Sequence, residues 1–506
     1  MFRDIASKPN YNWWVLWAVA AGFFLSVIDH GTVIVALPEI EAHFGADLPT
    51  VKWVIIGYFL SISVLLLPMG RLGDMIGRRR VFILGFSIFV LASALAGASR
   101  WLDLPTLITA KAIQGIGSAM IQGNGMAIII SVFPGGERGK ALGYHLTVVG
   151  VGAIVGPAFG GLLISIWGWP SIFFVNIPLG LFIVVLSLMI LRDEPLSTGA
   201  VPGQRPSFDW PGALFSGAAL LAFLLAVGNG DRVGWASAPI LTGAGASVAL
   251  LAVFIWWELR TESPMLDLRL FGRKLFSLGV AAGWMMFLGS AGSRFLLPFY
   301  LQRLLELSPR EVGLLMIAPA LCIVAMGPIS GRLSDRYGWR WLTVAGTALG
   351  AAAWFALAAN LTESSPVVFI VLMLMVQSAG MGLFISPNIS SIVSSVDRSS
   401  YGVVSSLTHL IRNSGDVTSI ALATTAVVMV MGSRGVEPSL GTVSPLVAEA
   451  FVSGVRWAFA FLGSILVVAA AICLVRGERA KTELTTPRPA PSGLAVGDGS
   501  SSEPAA

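Results

Sequence analysis

Asp29 is the side chain whose type and position point most directly to chemistry. It lies in an apolar run that begins at Trp13 and is long enough to cross a membrane, nine residues before Pro38. A carboxylate at membrane depth is costly, so its default interpretation is functional. The surroundings of a buried carboxylate set its affinity for a proton, which makes Asp29 a candidate for binding and releasing one. His30 is also titratable, but adjacent helical positions point about 100° apart, so we rank it below Asp29.

Lys111 is a second ionisable residue inside an apolar run, six residues after Pro105. With a rise of about 1.5 Å per residue, it lies within about one helical turn of Asp29 in depth. A salt bridge between the two is therefore plausible. A buried lysine loses its proton more readily than an arginine, so Lys111 could itself titrate. Its helical face continues as a polar stripe that must meet protein or water: Gln114, Ser118 and Gln122.

A second polar stripe runs from Ser405 to Ser419 and includes His409, Arg412 and Asp416. Arg412 and Asp416 are four residues apart, so they could neutralise each other as a structural pair. Alternatively, Asp416 could be a second site for a proton or a cation. The sequence leaves both interpretations open.

Arg294 lies in a further apolar run. It could bind an anionic or zwitterionic substrate, or balance the charge of Asp29 or Asp416. The candidates for proton coupling are thus Asp29, Lys111 and Asp416. The candidates for a substrate cavity are Tyr58, Gln114, Ser118, Gln122, Trp284, Phe287, Arg294, Gln377 and Arg412.

The composition indicates the kind of element that must position these residues. Of 506 residues, 55% are hydrophobic and 12% are charged, against roughly a quarter charged in a soluble domain. The mean hydropathy is +0.81. These values indicate an integral membrane protein and argue against a soluble enzyme, a secreted disulfide scaffold or a nucleic-acid binder. The two cysteines lie inside apolar stretches and have no metal-ligand spacing.

Apolar runs of about 20 residues predict fourteen membrane-spanning helices. If the N-terminus is cytoplasmic, the inner segments hold 22 of the lysines and arginines and the outer segments hold seven. The positive-inside rule therefore predicts that both termini are cytoplasmic. The spans after the first run are predicted at 52–70, 81–99, 105–130, 139–165, 171–191, 210–228, 239–257, 276–301, 312–331, 341–360, 366–389, 400–431 and 454–475.

The chain also contains an internal repeat. The segment Gly70–Gly77 recurs as Gly331–Gly338, 261 positions later, each time at the inner end of the second helix of a six-helix block. Repeated halves are typical of secondary transporters. We therefore predict two six-helix bundles, at 13–192 and 276–475, which are joined by two linking helices and their loops at 193–275. A cytoplasmic N-terminus at 1–12 precedes them, and a disordered cytoplasmic tail at 476–506 follows.

Several motifs resemble those of the 14-helix drug:proton antiporters of the major facilitator superfamily, over residues 13 to about 475. One is the loop signature that begins Gly70-Arg71-Leu72-Gly73-Asp74 and ends Gly77-Arg78-Arg79-Arg80. In predicted helix 5 the antiporter signature is complete, with Gly143, Gly152, Gly156-Pro157 and Gly160-Gly161. The others are Asn176-Ile177-Pro178-Leu179-Gly180, Phe208-Asp209-Trp210-Pro211-Gly212 and Leu266-Asp267-Leu268-Arg269-Leu270-Phe271.

The resemblance implies an all-α major facilitator fold in which these motifs act as gates. The loop signature, through Gly70, Arg71, Asp74 and Arg78, would act as a latch that stabilises the outward-facing state. Its repeat contains Asp335 and Arg336. The glycines at 152, 156 and 160 share one helical face, which would let another helix approach closely, and Pro157 adds a bend. The family implies that this face also biases the protein towards exchange rather than leakage.

We therefore expect proton-coupled efflux of hydrophobic, cationic drug-like compounds across the cytoplasmic membrane by alternating access, with a small substrate, protons and lipid as partners. No phosphate-binding loop or metal-ligand cluster predicts a cofactor, no nucleic acid is expected, and nothing indicates an oligomer. An alternative is export of an endogenous lipid, siderophore or metabolite, with Arg294 and Arg412 binding an anion. A non-transporting sensor or scaffold and a membrane enzyme are more remote alternatives.

Overall fold

The computed structural model describes residues 10–134, 137–192, 209–261, 264, 266–396, 401–441 and 443–476, and every extended regular element within them is helical. Fourteen helices are long and apolar enough to cross a membrane, so the predicted all-α architecture is confirmed. They are α1 Tyr11–Phe44, α2 Leu48–Ile76, α3 Arg78–Trp101, α4 Leu104–Val132, α5 Arg138–Trp167, α6 Ser171–Ile190, α7 Trp210–Val233, α8 Ala238–Glu258, α9 Lys274–Leu304, α10 Pro309–Tyr337, α11 Arg340–Asn360, α12 Val367–Val393, α13 Tyr401–Ser433 and α14 Pro445–Val475.

Several helices begin with an aspartate whose side chain caps the first turn. Asp47, Asp103 and Asp209 each accept a hydrogen bond from the backbone N–H three residues later, at 2.8–3.0 Å. Each is followed by proline in the first turn, where a missing N–H is harmless. Hydrogen bonds from Thr106 lower the pKa of the Asp103 carboxyl, which lies outside the spans. These signals explain why the helices begin where they do.

Several helices extend beyond their predicted ends, α2 and α10 by six residues each, to Ile76 and Tyr337. α1 continues through Pro38 to Phe44, so Asp29 lies nearer the middle of its helix than expected. A proline in a membrane helix bends the helix rather than ending it when neighbouring groups bind the backbone around it. Here the carbonyls of Val35 and Pro38 accept hydrogen bonds from side chains of α9. α14 begins at Pro445, well before the predicted position 454.

The internal repeat is visible in the backbone. Gly77 ends α2 and Gly338 ends α10, both with positive φ, at 103° and 85°. Other residues rarely adopt such angles, which explains the glycine at each position. The halves also share a close helix contact. A Cβ at Gly117 of α4 would lie 2.5 Å from a backbone oxygen of α3, and one at Gly380 of α12 would lie 2.5 Å from a backbone oxygen of α11.

The linking helices α7 and α8 pack on each other, and α7 also contacts α2 and α13. A buried ion pair joins Lys52 of α2 to Asp231 of α7, and both side chains are fully enclosed. Since an enclosed charge needs a partner, this pair joins the linking helices to the first half of the molecule.

Parts of the predicted domain scheme lie outside the described residues. These are most of the N-terminal segment, residues 193–208 of the link and the tail from 477 onwards, so the predicted disorder of the tail stays a prediction. Arg476, assigned to that tail, is described and buried. It donates hydrogen bonds to Asn388 and Ser391 of α12 and to the Leu275 carbonyl of α9. The second bundle therefore includes Arg476.

We expect Gly117→Ala to destabilise the fold, whereas Gly143→Ala should not. The added methyl group at position 117 would meet backbone atoms of α3, which cannot move as a flexible side chain can, and overpacking of this kind costs about 1–3 kcal/mol. Gly143 has open space around it. The measurement is the midpoint of thermal unfolding in detergent. Equal midpoints for the two variants would contradict the described packing of α3 on α4.

Candidate functional site

Asp29 is the centre of a buried hydrogen-bonded cluster in the first half of the molecule. Its Oδ2 atom lies 2.8 Å from Nζ of Lys111, forming the salt bridge that the sequence made plausible. Its Oδ1 atom accepts hydrogen bonds from the side-chain amides of Gln114 at 3.1 Å and Asn176 at 2.6 Å. Gln114 also donates to the hydroxyl of Ser93, at 2.8 Å. Four helices, α1, α3, α4 and α6, thus contribute to one polar cluster.

Two members of the cluster were not among the candidates from the sequence. Asn176 lies where α6 is interrupted at Val175, just before Pro178, and this break places its amide on Asp29. The Asn-Ile-Pro motif had been noted only as a family likeness, so a signal for Asn176 was present. Ser93 carried no such signal, because a lone serine in an apolar helix usually bonds its own backbone. Its hydroxyl does so, with the Phe89 carbonyl.

The cluster is enclosed in this conformation. Asp29 has no exposed surface and Lys111 has 2%. In this conformation Asp29 therefore does not line an open cavity. The physical reason is that ammonium and amide groups satisfy the carboxylate within the first half, so it needs no water. Chemically, a proton added to Asp29 would cancel its negative charge and leave Lys111 as an uncompensated cation.

A cavity of about 220 Å³ lies between the two halves. His30, Gly31 and Ile34 of α1 line one side, and Arg294 and Gln377 line another. His30 thus faces the cavity, whereas Asp29 faces α4. α1 therefore presents its buried charge on one side and part of the cavity wall on the other.

Of the nine predicted cavity residues, Arg294 and Gln377 lie in this lining. The polar stripe of α4 faces protein instead, because the Tyr58 hydroxyl lies within hydrogen-bonding distance of Ser118, at 2.9 Å, and of Ser26, at 3.1 Å. Tyr58 also places its ring 4.6 Å from Nζ of Lys111. The remaining predicted residues are outside this lining: Tyr58, Gln114, Ser118, Gln122, Trp284, Phe287 and Arg412.

Trp284 and Phe287 are outside the lining because α9 packs closely against α13. A Cβ at Gly415 of α13 would lie 3.0 Å from the Phe287 side chain and 3.1 Å from the Trp284 carbonyl oxygen. These residues serve helix packing within the second half. Their residue types alone did not identify the helix against which they pack.

Asp416 forms its ion pair with Arg294, at 2.8 Å, across the space between α13 and α9. The structural pair considered for Arg412 and Asp416 is not among the ion pairs of the described residues. Arg412 still interacts electrostatically with both Asp416 and Arg294. The side chain of Ser405, at the start of the predicted stripe, is outside those described. Thus the alternative in which Arg294 balances Asp416 is the one the structure contains.

The glycine face of α5 packs against α1 close to the Asp29 cluster. A Cβ at Gly152 would lie 3.1 Å from the Phe24 side chain, and one at Gly156 would lie 3.2 Å from the Ile28 carbonyl oxygen. At Gly160 it would lie 2.6 Å from Thr32. The close approach predicted for this face is present, and the partner helix is α1.

The loop signature forms local ion pairs at the end of the bundle where α1 begins, which we call the basic end. Asp74 pairs with Arg78 at 2.9 Å and with Arg71 at 3.5 Å. A Cβ at Gly70 would lie 3.2 Å from the Gly123 carbonyl oxygen of α4. Arg78 donates a hydrogen bond to the Ala127 carbonyl of the same helix. The repeat residues Asp335 and Arg336 are exposed at the same end. In this conformation the signature joins α2, α3 and α4.

The opposite end of the bundle, here the far end, carries contacts between the two halves. Arg303 of α9 donates to the Pro38 carbonyl and lies 3.6 Å from the Glu41 carboxylate of α1. Glu41 is buried and accepts a hydrogen bond from the Leu440 N–H at 2.8 Å. A Cβ at Gly161 of α5 would lie 2.3 Å from the Pro309 carbonyl oxygen of α10. Glu41 was not a candidate from the sequence, because its apolar neighbours resemble those at the end of any membrane-spanning helix.

The family of the chain follows from comparison with known proteins. Its sequence matches the family described as Major Facilitator Superfamily over residues 19–420 and 280–498. It is 33% identical over 402 residues to the riboflavin transporter RibZ of Clostridioides difficile (strain 630), covering 79% of this chain and 85% of that protein. It is 28% identical over 520 residues to the tetracenomycin C resistance and export protein of Streptomyces glaucescens, covering 94% of each.

The fold agrees with this match. A bacterial homologue of the human lysosomal transporter Spinster, solved in an inward-facing and unoccupied conformation, superposes with a TM-score of 0.67. The identity is 18%, and the alignment covers 93% of this chain and 97% of the other. Together with the fourteen helices and the repeated halves, these matches show the family: the chain belongs to the Major Facilitator Superfamily and is a membrane transporter.

Proposed function

We propose that this transporter exports hydrophobic, drug-like compounds across the cytoplasmic membrane in exchange for protons. The observation that carries the proposal is the buried pair between Asp29 of α1 and Lys111 of α4. α1 also lines the cavity between the two halves. A carboxylate at this depth is costly and persists only with a partner or a function. The export protein for tetracenomycin C, which matches along nearly the whole chain, supports the drug-export part.

In the proposed cycle Asp29 carries the proton and Lys111 is its counter-ion. A proton on Asp29 removes the attraction to Lys111, so the cluster with Gln114 and Asn176 must rearrange. Because α1 bears Asp29 on one side and His30 on the other, rearrangement on one side shifts the cavity wall on the other. Proton exchange requires a second conformation in which water reaches Asp29.

Alternating access would use the two ends of the bundle in turn. The far end is held by Arg303 and Glu41 and by the approach of Gly161 to α10. We propose that opening of the far end breaks these contacts, while the ion pairs of Asp74 stabilise the closed basic end. The substrate would then enter from the basic end and leave from the far end, and Gly152, Gly156, Pro157 and Gly160 would keep α5 on α1 throughout.

We also propose an orientation in the membrane and a monomeric state. The arginines of the loop signature and its repeat lie at the basic end, which we therefore place in the cytoplasm together with both termini. An even number of spans puts the termini on one side. We propose that the transporter works as a monomer, since each half finds its partner within the chain.

The residues around the cavity bear on the charge of the substrate. From the sequence we expected a hydrophobic, cationic compound. The carboxylate of Asp29 is occupied by Lys111, and no aspartate or glutamate is among the described residues that line the 220 Å³ cavity. A cation would therefore find no counter-ion in this wall.

A second candidate function is export of an endogenous metabolite. The specific observation in its favour is the match to a riboflavin transporter at 33% identity, combined with the cavity-facing guanidinium of Arg294. The energy source and direction would be the same, and only the substrate would differ. A lipid or a siderophore would be accommodated by the same argument. A purely sensory role would leave the far-end contacts without a purpose.

Asp29→Asn should reduce transport driven by an imposed pH gradient by more than tenfold, because asparagine cannot carry the proton. The measurement uses reconstituted vesicles and the probes riboflavin, tetracenomycin C and ethidium, with the parent protein as reference. Asp103→Asn is the matched control, since asparagine caps a helix as well as aspartate does and Asp103 lies outside the cavity. Parent-like gradient-driven transport by Asp29→Asn would rule out the proposed carrier.

Lys111→Arg separates the two possible carriers. Arginine keeps the positive charge but stays protonated at all working pH values, so pH-driven transport should persist if Asp29 carries the proton. Loss of coupling with intact binding of the transported probe would instead identify Lys111 as the carrier.

Two matched substitutions test the orientation. In a background without Cys322 and Cys473, Glu437→Cys lies at the far end and Glu137→Cys at the basic end, and both positions are exposed. A membrane-impermeant maleimide added to intact cells should label position 437 and should label position 137 only after permeabilisation. The reverse pattern would show that the basic end faces outwards.

A further inference from the structure

We propose that the substrate is an amphipathic organic anion, whose acidic group binds the guanidinium of Arg294 while its apolar body lies against the cavity wall. This inference rests on the proposed transport function and adds the class of compound. It departs from the cationic substrate that the sequence favoured.

The cavity wall has one fixed charge, and it is positive. Of the described residues that line it, only His30 and Arg294 are ionisable. The Arg294 side chain is 42% exposed, whereas that of Asp416, its partner, is 5% exposed. The guanidinium therefore faces the cavity, whereas Asp416 lies outside its lining and borders a much smaller pocket beside it, next to Arg294.

The guanidinium retains donors for a ligand. Among the described contacts, Arg294 uses one Nη2–H on Asp416 Oδ1, at 2.8 Å. An arginine has five N–H groups in a planar fork, and two neighbouring ones match a carboxylate. The remaining edge can thus bind a second acidic group without displacing Asp416.

The surrounding charges also favour an anion. Two guanidinium groups, of Arg294 and Arg412, interact electrostatically with one carboxylate, that of Asp416. Across the interface, the carboxylate of Asp29 is offset by Lys111. The region therefore holds one excess positive charge. At membrane depth a charge that lacks full compensation is unfavourable, and an anionic ligand would supply the missing partner.

The rest of the wall fits an apolar body with few polar groups. Leu297, Met316, Ile323, Leu374 and Met381 form apolar surface around Arg294. Methionines adapt to irregular shapes, which suits a range of ring systems. The polar groups next to them are largely used within the protein, since the Gln377 amide donates to the Ser290 hydroxyl at 2.9 Å. The Ser293 hydroxyl likewise donates to the Ser290 carbonyl, at 2.9 Å, so Arg294 is the charged donor of a lining whose further polar groups are His30 and Ser378.

The test compares compounds that differ only in charge. For naphthalene, biphenyl and anthracene, the carboxylate, the carboxamide and the methylammonium derivative are added to the purified full-length transporter at one fixed pH, without a gradient. Affinity is obtained from the concentration dependence of the thermal unfolding midpoint. We expect at least one carboxylate to bind about ten- to hundredfold more tightly than its amide, the range for charge-assisted hydrogen bonds, and the ammonium compounds to bind more weakly still.

Three variants assign the preference to the guanidinium. Arg294→Gln should bring the carboxylate to the affinity of the amide while the amide is unaffected, and Arg294→Lys should restore part of the preference. Asp416→Asn leaves Arg294 intact and removes its resident carboxylate, so it should strengthen carboxylate binding. Because Asp416→Asn retains Arg294, it tests the proposal even if Arg294→Gln does not fold. Arg310→Gln, at an exposed far-end arginine, is the control that should change nothing.

The proposal is overturned if no carboxylate outbinds its amide, if the ammonium compounds bind most tightly, or if Asp416→Asn weakens carboxylate binding. These outcomes concern equilibrium binding without a pH gradient. They therefore leave the proton-coupled function to be decided by the Asp29→Asn transport assay, so failure of one proposal is distinguishable from failure of the other.

Discussion

The constraint on which this structure depends is that a charge buried between membrane-spanning helices must find its compensation inside the protein. Within the part of the chain that the structure describes, three such ion pairs join different helices: Asp29 with Lys111, Lys52 with Asp231, and Arg294 with Asp416. Removing one member of such a pair leaves the other uncompensated, which is strongly unfavourable. The stability of these contacts between helices thus depends on the protonation of their members. That property suits a protein that must hold one conformation and then change to another.

α1 connects the parts of the molecule that would have to move together. Its middle carries Asp29 towards α4 and α6, and the next residue, His30, lines the cavity. Its flank packs on the glycine face of α5, and its far end is held by Arg303 and by Leu440. A small rotation of this helix would alter the charge cluster, the cavity and the far-end closure at once. We infer that this shared element is how the proton and the substrate influence each other.

The features predicted well from the sequence are those that lipid imposes on any chain. Fourteen apolar runs became fourteen helices, because a helix satisfies its backbone hydrogen bonds within a single segment, as an apolar layer requires. The Asp29–Lys111 pair was foreseeable because two opposite charges at similar depth have little alternative. The repeat around Gly77 and Gly338 was visible because positive φ angles restrict both positions to glycine.

Helix rotation and partner choice were harder to foresee. α1 is apolar over most of its surface, so its sequence does not show which face meets the cavity. Spacing allowed Asp416 to pair with Arg412 on its own helix or with Arg294, and only the packing of α9 on α13 shows that Arg294 is the partner. Asn176 and Glu41 were missed because their roles arise only from residues distant in the chain. Such contacts depend on packing between helices, which local pattern does not encode.

The most direct test of the central claim is infrared difference spectroscopy of the purified transporter in lipid during a pH titration, comparing the parent with Asp29→Asn. A protonated carboxyl group has a C=O band distinct from that of a carboxylate, and its frequency reports burial. If Asp29 carries the proton, such a band appears as the pH is lowered in the parent and is missing from the variant. If the carboxylate of Asp29 remains ionised throughout the pH range in which the protein transports, the account is contradicted.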